Sequence, residues 1–192
     1  MSNQLLHKRT STDTDPWLRS YYLVRAAVSL VWVAAVLAIG PKSSLVAGAL
    51  LLIYPAWDAA ANAIDARQNG GLRANPTQTL NLVVSCLTTV AVAVGLAVSM
   101  NAVLGVFGVW ATLSGLLQLA TGVRRWKHVG AQWAMILSGV QSAVVGAMFL
   151  GEAVGPATPS AADIAPYAAF GAFYFLVSAV WLTVSTARRR VA

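Results

Sequence analysis

The sequence predicts an all-α, polytopic membrane protein: six transmembrane helices arranged as three hairpin repeats, with both termini in the cytoplasm. Three observations carry this expectation: a charge-poor composition, six apolar runs of membrane-spanning length, and basic residues that gather at alternate turns. Of 192 residues, 58% are hydrophobic and only 10% charged, with a mean hydropathy of +0.68. A soluble domain carries roughly 25% charged residues. The chain therefore has too little polar surface to face water, and its apolar surface is expected to face lipid.

A hydrocarbon core about 30 Å thick needs roughly 20 helical residues at about 1.5 Å each. That length fits six spans, at about Ser20–Ile39, Ser44–Ile64, Thr79–Ser99, Asn101–Val123, Gln132–Leu150 and Pro166–Ala187. The third and fourth are separated only near Met100-Asn101 and must form a tight hairpin. Asp15-Pro16 reads as a helix start, with a capping carboxylate and a first-turn proline, and Asp163 ahead of Pro166 reads as another. The chain divides into a polar amino-terminal tail (1–19), a six-helix domain (20–187) and a basic tail (188–192). The tail shows no apolar core of the kind a cleavable signal peptide needs.

Orientation follows from lysine and arginine. Lys8, Arg9 and Arg19 precede the first span; Arg67 and Arg73 lie in the second loop; Arg124, Arg125 and Lys127 lie in the fourth; Arg188, Arg189 and Arg190 close the chain. At the opposite end stands Lys42 alone, and the fifth loop, GEAVGPATPSAAD, has acids but no bases. Basic loops stay in the cytoplasm, which puts both termini there. This placement also accounts for the net charge of +7 and pI near 10.2 without a nucleic-acid partner. The RRWK cluster and the terminal arginines are expected to form a cytoplasmic basic surface within reach of anionic headgroups.

The even-numbered spans share a pattern: an aromatic residue, three residues, a small polar or acidic one, then a small one. It reads Tyr54-PAW-Asp58-Ala59, Trp110-ATL-Ser114-Gly115 and Tyr174-FLV-Ser178-Ala179, with Arg67, Arg124 and Arg188 following. Repeats of about 20–67, 79–125 and 132–188 result, and three parallel repeats suggest approximate threefold pseudo-symmetry. The run FGVWATLSGLLQLATGVRRW, followed by QWAMILSGVQSAVVGAMFLG, resembles the HdeD-like acid-resistance membrane proteins, built from tandem copies of a two-helix repeat of unknown function. The arginine in YYLVRAAVSL also matches that pattern, over a resemblance covering roughly residues 20–188. Ala26 replaces the glycine usual after such an arginine, and the long fifth loop and polar tail are extra. The resemblance implies a multi-pass protein of the bacterial cytoplasmic (inner) membrane tied to acid stress, with no established chemistry to carry over.

The most informative side chain is Asp58, in IYPAWDAAANAIDAR. A charge at mid-membrane costs about 2.5–3.5 kcal/mol on insertion scales, so it is usually paired or functional. Arg25 lies seventeen residues before Lys42 and Asp58 sixteen after it. In an antiparallel hairpin both sit about 24–26 Å below the turn, at one level. Arg25 can pair with Asp58 there or snorkel to the nearby surface. Asp58, Asn62 and Asp65 occupy one helical face. Two readings stay open: a structural clamp, or a proton or cation site that exchanges partners during transport.

The fifth span carries two small-residue stripes, Gly139-Ala143-Ala147-Gly151 and Ser138-Ser142-Gly146, which allow close helix approach. This helix is expected to pack centrally or to form a subunit contact. Gln118 and Gln141 read as interhelical hydrogen-bonding groups, and Cys86 as a small buried packing residue. Trp32, Trp57, Trp110 and Trp181 read as bulk packing within spans, Trp126 and Trp133 as interfacial anchors. His128 reads as a solvated loop histidine in preference to a pH sensor. No nucleophile–base pair, metal set or phosphate-binding glycine loop is recognisable, so neither enzyme activity nor a cofactor is expected. Expected partners are membrane lipids and a second copy or another protein.

Overall fold

The structure, a computed structural model, describes residues 14–125 and 132–191. Among them every regular element is helical, and six helices are long and apolar enough to cross a membrane. They are α1 (Thr14–Ala38), α2 (Ser44–Gln68), α3 (Pro76–Val98), α4 (Met100–Arg125), α5 (Gln132–Ala153) and α6 (Ala165–Val191). Helix α1 starts ahead of the apolar run expected from Ser20, and α6 runs on past Ala187. Hydropathy marks where lipid begins; the backbone ladder simply continues into exposed Pro16, Arg19 and Arg188.

The described turns have local causes. The Ser43 hydroxyl accepts the Val46 amide at 3.3 Å and caps α2. Between α2 and α3, Gly70 and Gly71 adopt φ of 94° and 93°, a left-handed conformation that glycine alone takes without strain. The Asn75 side-chain amide donates to the Asn69 and Gly71 carbonyls, at 2.7 and 2.9 Å, and closes that turn. A single extended residue, Ser99, separates α3 from α4, as tight as the sequence requires. Ahead of α6, Ser160 and Asp163 form a capping box on a short 3-10 turn over 161–164.

Successive helices run antiparallel and in register: Trp32 meets Leu50, Gly48 faces Leu96, Gly95 faces Val103 and Tyr174 meets Gln141. Helix α1 also packs on α6, with Tyr22 stacked on Phe175 at 6.1 Å, so the six helices close into a ring. Its centre holds Trp32, Leu51, Tyr54, Phe107, Trp110 and Phe149. The closest packing joins α4 to α5, α1 to α6 and α2 to α3, whereas α1–α2 and α5–α6 stand further apart.

Glycine explains the tightest contact. A Cβ on Gly115 would lie 2.6 Å from both the Ala143 amide nitrogen and the Gly139 carbonyl oxygen. One on Gly139 would lie 2.7 Å from the Gly115 carbonyl, and one on Gly146 would run into Thr112 Oγ1. With no hydrophobic drive between helices in lipid, this close backbone approach supplies the attraction. The contact face of α5 is Gly139, Ala143 and Gly146, with Ser142 over Gly115 and Ser138 donating to Gln118 Oε1 at 3.4 Å. Ala147 and Gly151 are exposed instead. An α-helix turns by 3.6 residues, so a stripe spaced strictly by four drifts off the contact.

Several other apolar residues point outward. Cys86 is exposed, correcting its reading as a buried residue; its neighbour Ser85 takes the inward position with Thr88 and Val92. Trp181 is half exposed, while Trp32 and Trp110 are buried. Trp133 is exposed, but Trp126, Lys127 and His128 lie outside the described residues, as do the side chains of Arg124, Arg125, Arg189 and Arg190.

Replacing Gly115 with alanine is expected to force α4 and α5 apart and cost about 1–3 kcal/mol. Gly151→Ala, whose Cβ meets nothing within 4 Å, is expected to be neutral or slightly stabilising. Thermal unfolding in detergent, followed by tryptophan fluorescence, separates the two. Equal tolerance at both positions would contradict the packing described.

Candidate intramembrane ion-pair site

Helix α2 carries Asp58 one turn beyond Pro55. A proline inside a helix donates no backbone N–H, so the Leu51 carbonyl loses its usual partner. Next to that gap, the Trp32 indole donates to the Leu50 carbonyl at 2.7 Å and ties α1 to α2. Trp32 also stacks on Tyr54 at 4.5 Å. These large side chains fill the α1–α2 gap and hold the two helices at the spacing an arginine–carboxylate pair occupies.

Arg25 of α1 pairs through Nη2 with Asp58 Oδ1. The other oxygen, Oδ2, accepts the Ser85 hydroxyl of α3 at 2.7 Å and the Asn62 amide at 3.0 Å. Asn62 is buried and also donates to the Asp58 main-chain carbonyl at 2.8 Å, which locks it against its own helix. Ser85 in turn accepts the Trp110 indole N–H of α4 at 3.2 Å. Arg25 donates through Nη1 to the Tyr21 hydroxyl at 3.1 Å, and Tyr21 donates to the Ala61 carbonyl at 3.2 Å. The guanidinium carbon lies 4.3 Å from the centre of the Phe175 ring of α6, a cation–π contact. One carboxylate and its counter-ion thus touch four of the six helices and reach a fifth, α4, through Ser85.

The pair is mostly buried, with 15% of the Arg25 side chain and 19% of the Asp58 side chain exposed. Both carboxylate oxygens are filled by side-chain donors, which is how a charge persists where water is scarce. Arg25 Nε and Trp57 Nε1 are buried without a hydrogen-bond partner. For the guanidinium, the Phe175 ring face provides the compensation that edge lacks.

Asp65 shares the helical face of Asp58 and Asn62 but belongs to a separate cluster. Its carboxylate accepts Gln78 Nε2 of α3 at 3.1 Å and Asn69 Nδ2 at 2.8 Å, fastening the end of α2 to the following turn. The repeat-equivalent aromatics diverge. Tyr54 and Trp110 meet edge-on at 5.8 Å, whereas Tyr174 donates to Gln141 at 2.7 Å. The α6 aromatic that reaches Trp110 is Tyr167, at 6.2 Å.

Sequence reasoning missed Ser85, Trp110, Tyr21 and Phe175 as parts of this site. Levelling residues about Gly71-Leu72, as about Lys42, would have placed Ser85 beside Asp58. Phe175 offers no such signal, because α1 and α6 are joined only by the closure of the ring. Of the basic surface, Arg188 is exposed near the end of α6, with Arg67 and Arg73 exposed around the α2–α3 turn.

Residues 82–151, spanning most of α3 together with α4 and α5 to near its end, match the model of a short repeat of unknown function (DUF308). No curated protein and no solved structure matches the chain.

Asp58→Asn leaves Arg25 buried without its counter-ion and is expected to cost about 3–5 kcal/mol. Ser85→Ala removes one hydrogen bond to a charged acceptor and is expected to cost less, about 1.5–3 kcal/mol. Detergent-phase denaturation of the two variants gives the order directly. An Asp58→Asn protein as stable as Ser85→Ala would remove the ion pair from its supporting role.

Proposed function

We propose that this chain is a non-enzymatic, multi-pass protein of the bacterial cytoplasmic membrane, associated with acid stress and acting through its structure, its lipid contacts or a protein partner. A second copy is one such partner. In this reading both termini are cytoplasmic, the three hairpins are repeats of one unit, and the arginine clusters at 124–127 and 188–190 rest against anionic headgroups. The match to a short repeat of unknown function and the resemblance to HdeD-like proteins support the association. The observation that carries the reading is the partnering of Asp58: Arg25 holds one of its oxygens, and Ser85 with Asn62 the other. A carboxylate held by a counter-ion and two further donors gives up its pairing with Arg25 on exchanging it for another cation, which favours a clamp over a transport site.

A second reading has one observation in its favour: Asp58 keeps 19% of its side chain exposed, with Asn62 and Asp65 on the same face. On that reading the chain is a small proton- or solute-conducting transporter or channel using Asp58 and Arg25. Proteoliposomes loaded with a pH-sensitive dye separate the two. The structural reading expects proton flux equal to that of protein-free vesicles, in wild type and in Asp58→Asn alike. Flux present in wild type and abolished by Asp58→Asn would replace it with the transport reading.

A further inference from the structure

At the far end of α1 and α2 from the ion pair, a cavity of about 870 Å³ opens between the helix ends and the 3-10 turn before α6. Its size falls in the range of ligand pockets, about 300–1,000 Å³. Its wall is apolar, from Val36, Leu45, Leu52, Leu96 and Met100, with Gly40, Ala47, Gly48 and Ala161 too small to fill the space between the helices. From Ser44 to Leu52 the wall runs about 12 Å along α2 from its first turn. An apolar hollow entered from the end of a membrane span is filled by whatever apolar chain the surroundings offer.

The rim supplies the selectivity. Lys42 sits in the turn whose residues Gly40 and Pro41 line the cavity, is exposed, and takes part in no ion pair among the described residues. Asp163, which follows the rim residues Ser160 to Ala162, accepts the Ser160 amide and hydroxyl, at 2.6 and 3.1 Å, and forms no ion pair with Lys42. An apolar slot beside one uncommitted ammonium group matches a lipid with an acyl chain and an anionic headgroup.

We propose that this cavity binds one acyl chain of an anionic phospholipid, with Lys42 on its phosphate. The site is independent of the Arg25–Asp58 clamp and stands whichever reading of Asp58 holds. Native mass spectrometry of the full chain, released from micelles containing equal dioleoylphosphatidylglycerol and dioleoylphosphatidylcholine, tests it. Wild type is expected to retain the anionic dioleoylphosphatidylglycerol preferentially. Lys42→Gln, at an exposed position, is expected to lower that preference about fivefold, the effect of one basic residue at a headgroup. Ala49→Phe, which fills the slot from an exposed wall position, is expected to reduce retention of both lipids. A preference unchanged in Lys42→Gln would assign the anionic lipid to the arginine clusters at the other end and overturn the proposal. So would retention unaffected by Ala49→Phe, or a dimer that Ala49→Phe converts to monomer.

Discussion

A charge held in lipid must find its compensation inside the protein, and the arrangement of this bundle follows from how Asp58 finds it. The carboxylate takes Arg25 on one oxygen and Ser85 with Asn62 on the other. Each partner is itself committed: Arg25 to Tyr21 and the Phe175 ring, Ser85 to Trp110. Moving any of α1, α2, α3, α4 or α6 along its axis by a turn would break one of these links. The network therefore fixes the relative height of five helices by directional bonds, beside the glycine packing that seats α5 on α4.

Two kinds of helix contact divide the remaining work. Between α4 and α5, Gly115, Gly139 and Gly146 bring backbones together until a single methyl group would collide. Between α1 and α2 the helices stand apart, and Trp32, Tyr54, Arg25 and Asp58 fill the gap with stacking, an indole–carbonyl bond and an ion pair. The first kind gains dispersion from proximity; the second gains direction from polar geometry. The large aromatics converge on Trp110, whose indole N–H reaches Ser85, so the aromatic core and the charged network share one residue. At the other end of α1 and α2, small residues without such filler leave the cavity beside Lys42.

How much was legible in the sequence depends on what kind of signal each feature leaves. Six spans are read from hydropathy because lipid demands long apolar runs, and the helix ends miss because a helix does not stop where lipid does. The shared level of Arg25 and Asp58 is read by counting from Lys42, since both lie on one hairpin. Ser85 escapes because a serine in an apolar span looks like a small packing residue, and Phe175 because its partner is 150 residues away in the chain. Cys86, Trp181 and Ala147 were expected inside and lie outside. A soluble helix betrays its inner face by contrast with a polar outer one, but here both faces are apolar, so periodicity carries little information about direction.

A double-mutant cycle across Arg25 and Asp58, in Arg25→Met, Asp58→Leu and the combined variant, tests the central claim most directly. Unfolding in lipid-like detergent is expected to show a coupling of about 2–3 kcal/mol, with the combined variant losing less stability than the two single variants together. Additive costs would mean that neither charge feels the loss of the other, and the network would no longer explain the register of the bundle.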